Sequence, residues 1–208
     1  MKLDWWRRLV AGRGGRNGEA EGGPWPPGTR VAFVAPWFRP RSAPAFPSFR
    51  DPGLARYRPD VIAAPLPALL EMAEAMLRGK ADPAEAELGV APLTGVGRPA
   101  IHPAERNLLW MALGVPVFEQ FRGPAGELLA WECEAHAGLH VVAGRAEFFK
   151  ARGETEIRVR LTRESIAAPT GLEGRIETEP CACGREGLRL CDLRTAGETP
   201  EQALTAAV

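Results

Sequence analysis

The sequence predicts an α/β fold: a partial parallel βαβ sheet layer, then an antiparallel β region. Three observations carry this reading. Up to about residue 125, short apolar runs rich in β-formers alternate with amphipathic helical stretches. Beyond residue 126 the runs become shorter and are separated by glycine or charged turns. All four cysteines also lie in this second part, two of them as Cys-x-Cys. The expected organisation is an N-terminal helix and flexible linker over 1–28, an α/β region over 29–125, and an antiparallel β region with a short C-terminal helix over 126–208.

Residues 11–28, "AGRGGRNGEAEGGPWPPG", have the glycine, proline and charge content of a linker. They lack the lysine and hydroxyl of a phosphate-binding loop, and no strand precedes them. "TRVAFVAPW" (29–37) reads as a buried strand. The four prolines Pro40, Pro44, Pro47 and Pro52 make the next stretch irregular. A second strand is expected at 60–64. The helix "PLPALLEMAEAMLRG" follows, with Leu66, Leu69, Leu70, Ala73 and Leu77 on one face and Gly79 as its stop. "AELGVAPL" gives a third strand. "HPAERNLLWMALG" gives a helix with Pro103 in its first turn and Gly114 closing it. "VPVFEQF" is a fourth strand. Single helices between strands imply parallel βαβ units.

In the second part, "ELLAWECE", "LHVVAG", "AEFFKAR", "TEIRVRLT" and "GRIETE" read as short strands. "AEFFKARGETEIRVRL" reads as a hairpin turning at Gly153. The tail "ETPEQALTAA" carries a capping box, with Thr199 as cap, Pro200 at the first helical position and Gln202.

Composition narrows the function classes. The 208-residue chain has 26 basic and 26 acidic residues, so zero formal net charge argues against an electrostatic grip on nucleic acid. No run approaches the roughly 20 apolar residues of a membrane span. The N-terminus "MKLDWWRRLVAGRGG" is broken by charges before a secretory core forms. Trp5 and Trp6 alone make a weak membrane anchor. The expected compartment is cytoplasmic. Cysteines clustered in the second half then indicate a metal site before disulfides.

"WECEAHAGLH" places Cys133, His136 and His140 within eight positions, and "PCACGREG" adds Cys181 and Cys183. Zinc takes four thiolate or imidazole ligands tetrahedrally. A Cys-x-Cys turn between Pro180 and Gly184 with a distant Cys/His pair is a common structural arrangement. Cys133 and His140 supply that pair, with His136 an alternative histidine and Cys191 an alternative cysteine. Four protein ligands would make a closed, structural zinc site, since catalytic zinc keeps a position open.

Four segments resemble the phenylacetate-CoA ligase and coenzyme F390 synthetase group of adenylate-forming enzymes. They are "YRPDVIAAPLPALLEMAEAM", "GVGRPAIHPAERNLLWMALGVPVFEQF", "ECEAHAGLHV", and "RLTRESIAAPTG" with "EPCACGR", spanning 57–190 in family order. The resemblance implies Cys133, His140, Cys181 and Cys183 as ligands of a structural Zn²⁺, and sets His136 and Cys191 aside. The sequence also departs from the family. "FRGPAGE" (121–127) stands where Tyr-Gly-x-Thr-Glu is expected, with Phe121 for the tyrosine and Glu127 a displaced carboxylate. "APTGLE" keeps Thr170 and Gly171 but puts Leu172 where a ribose-binding aspartate is expected. The phosphate loop has no counterpart, and none of the lysines (Lys2, Lys80, Lys150) lies beyond Lys150.

Each such group is worth a few kcal/mol of transition-state stabilisation. The expectation is a non-catalytic, zinc-stabilised relative of aryl/acyl-CoA ligases, acting as an accessory, regulatory or ligand-binding protein. The alternative is an ATP-dependent ligase completed by a partner chain. The parallel-sheet edge needs covering, by residues 1–56 or by another subunit, which makes a homodimer or heterocomplex an expected assembly. No nucleic-acid or membrane partner is expected.

Overall fold

The computed structural model describes residues 25–26, 28–80 and 88–198. The N-terminal segment with Trp5 and Trp6, most of the linker, and the C-terminal helix expected from Thr199 lie outside the described residues. Among the described residues, eleven strands form one sheet. They are β1 (Val31–Val34), β2 (Ala45–Phe46), β3 (Val61–Pro65), β4 (Gly89–Gly95), β5 (Gln120–Arg122), β6 (Leu128–Glu132), β7 (Leu139–Val141), β8 (Ala146–Phe149), β9 (Glu156–Leu161), β10 (Ala168–Glu177) and β11 (Arg189–Thr195). Their spatial order is β2-β1-β3-β4-β5-β6-β7-β11-β10-β9-β8. Pairing is parallel from β2 to β5. It is antiparallel from β5 onward to β8. The predicted change from parallel to antiparallel strands is therefore present, within a single sheet.

Both faces of the parallel part are buried, which is why its strands read as continuous apolar runs rather than alternating ones. Ala32, Val34, Ile62, Ala64 and Val90 face one side and pack with the helices α1 (Pro52–Tyr57), α2 (Leu66–Leu77) and α3 (Pro103–Leu113). Val31, Phe33, Val61, Ala63, Ala91 and Leu93 face the other, covered by Trp25, Trp37 and Phe38. The antiparallel part has its own core of Phe121, Leu129, Phe148, Ile157, Leu172 and Leu190. Phe121 and Phe148 meet edge to face at 5.5 Å.

Local chemistry sets the helix ends. Asp51 caps α1 by accepting the Gly53 N–H at 2.7 Å, with Pro52 at the first position. The Glu105 carboxylate accepts the His102 N–H at 2.8 Å and holds the start of α3. Gly114, in left-handed conformation, ends α3 by donating to Trp110 O. Both β2 and α1 fall in and beside the proline-rich stretch expected to be irregular. Three well-placed hydrogen bonds suffice there: Phe33 N–H to Pro44 O, Ala35 N–H to Phe46 O, and the Asp51 cap.

Two expectations are corrected. Leu77, assigned to the buried face of α2, is 57% exposed, and Met72 and Ala75 are buried instead. Eleven residues make just over three turns, so Leu77 lies within about 20° of Leu66 round the helix, and its exposure goes with its place as the last residue of α2. β11 was not anticipated, since "RLCDLRT" alternates charge with apolar residues and resembles a loop. Among the described residues, no helix is long and apolar enough to cross a membrane.

Leu109 is fully buried between α3 and the sheet. Leu109→Ala is expected to cost about 2–5 kcal/mol in urea unfolding. Leu77→Ala is expected to stay within about 0.5 kcal/mol of wild type. Equal losses would contradict this assignment of the helix faces.

Candidate metal centre

Cys133 follows the last residue of β6, and His140 sits in the middle of β7. The turn between them is held by the His136 N–H donating to Cys133 O at 3.0 Å. It needs glycine at Gly138: φ is +102°, and a Cβ there would lie 2.6 Å from Leu190 O and 2.7 Å from the Cys191 sulfur. Cys181 and Cys183 lie in the loop from β10 to β11. Cys181 N–H donates to Arg185 O, and Gly184 N–H donates to Cys181 O, closing a tight clasp. Leu188 O accepts Val141 N–H at 2.9 Å, and Arg189 pairs in register with His140. These contacts bring the clasp onto β7.

The metal-ligand atoms of Cys133, His140, Cys181 and Cys183 all lie within 4.8 Å of one another. Cys133 Sγ is 3.7 Å from Cys181 Sγ, and Cys183 Sγ is 3.5 Å from His140 Nε2. For a tetrahedral zinc with Zn–S of about 2.3 Å and Zn–N of about 2.05 Å, the ligand separations work out at about 3.8 Å for S···S and about 3.5 Å for S···N. The quartet could hold one such ion. Disulfide bonding is a separate geometry, with sulfurs about 2.05 Å apart, and all four cysteines are free.

Burial pushes the Cys133 thiol up to about 12. Burial also raises Cys181, but hydrogen bonds from the Cys183 backbone N–H and from the neighbouring thiols outweigh it and bring Cys181 below the usual value. Burial, then the Arg185 and Arg189 guanidiniums, lower His140, so its imidazole is neutral at pH 7 and has a lone pair to give. Arg185 is fixed by two hydrogen bonds to Glu134, at 2.8 and 3.0 Å, and lies over the Trp131 ring.

The other two candidates stand apart from the quartet. His136 donates from, or accepts at, Nδ1 with Glu132 Oε1 at 3.0 Å and stacks on Phe118. Cys191, on β11, reaches Ala137 O and Glu177 at 3.5 Å.

The nucleotide-binding positions implied by the resemblance are occupied by other contacts. Leu172 is 1% exposed in the antiparallel core, alongside Phe121. Thr170 O accepts the Gly97 N–H at 2.8 Å, which ties β10 to the end of β4. At the carboxyl ends of the parallel strands, where open α/β sheets bind ligands, Arg122 is fully buried. Its guanidinium bonds Gln120 Oε1 and Gly126 O and lies over Phe33 and Phe38. Glu127 lies beside this arginine's loop, with its backbone O accepting the Gly123 N–H.

Sequence reasoning missed a buried acid network beside the quartet. Glu132 accepts from His136 at Oε1, and from both the Arg106 guanidinium and the Glu119 N–H at Oε2. Burial, and next the Glu132 carboxylate, push Glu119 up to about 7. The available signal was two glutamates inside otherwise apolar strand text, "VFEQF" and "AWECE".

The fold is similar to that of several solved ligase structures. A 2-hydroxyisobutyryl-CoA ligase in complex with 2-HIB-AMP and CoA superposes with TM-score 0.61 at 15% identity, over 92% of this chain and 48% of that one. Coronafacic acid ligase from Pectobacterium brasiliense gives 0.50 at 11%, over 85% and 41%. An anthranilate CoA ligase with anthranoyl-AMP gives 0.50 at 10%, over 72% and 38%. The chain thus spans about half the length or less of these structures, and identities this low show the fold alone. No protein-family model matches the sequence, and no curated protein matches it.

The Glu119 shift predicts a pH dependence. Unfolded, its carboxyl titrates near 4.5; folded, near 7. Between these values the folded chain keeps a proton that the unfolded chain has released. That stability is full below 4.5 and lost as pH rises through 7, by up to about 3 kcal/mol. Glu119→Gln is expected to gain stability relative to wild type as pH goes from 5 to 8. Parallel urea-midpoint curves for the two proteins would refute it.

Proposed function

We propose that this chain is a zinc-stabilised, non-catalytic relative of the phenylacetate-CoA ligase group, acting as an accessory, regulatory or ligand-binding protein. The observation that carries the reading is Arg122. A fully buried guanidinium, satisfied by Gln120 and Gly126, fills the place where the resemblance calls for the Tyr-Gly motif of the nucleotide site. Leu172, buried in the core, supports it from the ribose side.

In this reading Cys133, His140, Cys181 and Cys183 hold Zn²⁺ with no position open to water. The ion would supply folding free energy rather than Lewis-acid chemistry. Three thiolates on Zn²⁺ leave one net negative charge, and Arg185 and Arg189 are placed to offset it. Elemental analysis should give about one zinc per chain. Cys133→Ser and Cys181→Ser should lower metal content and thermal midpoint together. His136→Ala should keep the metal; loss of zinc in that variant with retention in His140→Ala would reverse the ligand assignment.

The functional reading is tested by ATP–pyrophosphate exchange with a panel of aryl and fatty acids. No carboxylate-dependent exchange is expected above background. Robust exchange abolished by Glu127→Ala would overturn the proposal. The half-length coverage of the solved ligases supports one alternative, a ligase completed by a partner chain. Co-purification with a chain that restores exchange would establish that reading instead.

A further inference from the structure

The four cysteines differ in access. Cys133, Cys181 and Cys191 are buried, and Cys183 alone is partly exposed, in the turn of the clasp. Oxidation of a cysteine follows its thiolate character and its exposure. A thiol that ligates zinc is held as the thiolate, so within the quartet Cys183 combines the two properties. Cys191 has neither a place in the quartet nor access, and its sulfur reaches Ala137 O and Glu177 at 3.5 Å.

A second thiol stands within reach of Cys183. The sulfurs of Cys133, Cys181 and Cys183 all lie within 4.8 Å of one another. A disulfide needs about 2.05 Å, so closing one takes a sulfur shift of under about 3 Å. The two available partners differ in origin. Cys181 is separated from Cys183 by a single residue, inside the turn that Gly184 N–H closes on Cys181 O. Cys133 comes from the end of β6, across the seam, and its Sγ is 3.7 Å from the clasp at Cys181. A Cys181–Cys183 bond would have to form inside that hydrogen-bonded turn. A bond from Cys133 crosses the seam that the quartet already spans.

We propose that the quartet is a redox switch: a hydroperoxide oxidises Cys183, Cys133 then bonds to the clasp, and the metal is exchanged for a disulfide. In the first step the Cys183 thiolate attacks one peroxide oxygen. The O–O bond breaks, the other oxygen leaves as hydroxide or alkoxide, and Cys183 becomes a sulfenic acid. In the second step the Cys133 thiolate attacks the Cys183 sulfur, the S–O bond breaks and hydroxide leaves. Two thiolates are thereby oxidised by two electrons, the peroxide is reduced to water or an alcohol, and both leaving groups take protons from solvent. Cys181 and His140 are then the remaining ligands, too few for a structural zinc site. The inference rests on the zinc assignment above. A chain that binds no zinc overturns that assignment and this inference with it; a zinc-loaded chain that withstands peroxide overturns only this one.

The test treats the full, zinc-loaded chain with millimolar hydrogen peroxide. Released zinc is followed with a chromogenic chelator, and the products are mapped by mass spectrometry of unreduced tryptic peptides. Cleavage after arginine places Cys133 in peptide 123–145, Cys181 and Cys183 together in 176–185, and Cys191 in 190–194. The expected result is loss of about one zinc per chain together with a crosslink between 123–145 and 176–185. A sulfenic-acid trap added with the peroxide should mark Cys183, and dithiothreitol with added zinc should restore the starting protein. Cys191→Ser should lose zinc at the wild-type rate. Zinc retained under peroxide would overturn the proposal. So would a disulfide closed within 176–185, a crosslink to 190–194, or trapping at Cys133 or Cys181 before Cys183.

Discussion

Leu190 lies opposite Leu139 and Arg189 opposite His140, and the candidate metal centre depends on this register. β11 is later in the chain than β8, β9 and β10, yet it inserts between β7 and β10. That insertion carries the preceding loop, with Cys181 and Cys183, back onto the turn that holds Cys133. A one-residue slip would turn every β11 side chain to the opposite face. Gly138 enforces the register sterically, because any Cβ there would collide with Leu190 O and the Cys191 sulfur. An ion bound by the quartet would add a constraint across the same seam, linking positions 48 residues apart.

Among the other buried charges, Arg122 and Glu119 differ in how they are held. Arg122 is surrounded by acceptors and aromatic faces, so its burial is compensated in place. At Glu119, burial and the neighbouring Glu132 carboxylate outweigh Arg106, Thr94 and Ile101, and the pKa rises. Buried ionic groups are expensive to leave incomplete, and the expense falls on whichever atom lacks a partner. One charge lies at the carboxyl ends of the parallel strands, while the other is buried beside Glu132 and Arg106.

Much of this was legible in the sequence because it follows from local patterns. The strands at 31–34 and 61–65 and the helices at 66–77 and 103–113 show the expected periodicity, proline starts and glycine stops. The turn at Gly153 was readable for the same reason. The pairing of "ECEAHAGLH" with "PCACG" could be suspected from residue type, but its geometry needs β11, whose alternating "RLCDLRT" gives no signal until it has neighbours on both sides. Likewise His136 and His140 cannot be told apart by spacing. What separates them is strand direction: His140 points from β7 towards Cys183, while His136 turns at φ +49° towards Glu132. Glu119 and Glu132 were invisible as a pair because they become neighbours only when β5 and β6 align.

The sheet's outermost parallel strand is two residues long and flanked by Pro44 and Pro47. Proline has no N–H to offer, so beyond Ala45 and Phe46 a visiting strand finds few donors to pair with. Among the described residues, this edge is thereby blunted against sheet extension and aggregation. A second chain meeting the molecule at this end has little backbone to zip onto, and would have to recognise it through side chains.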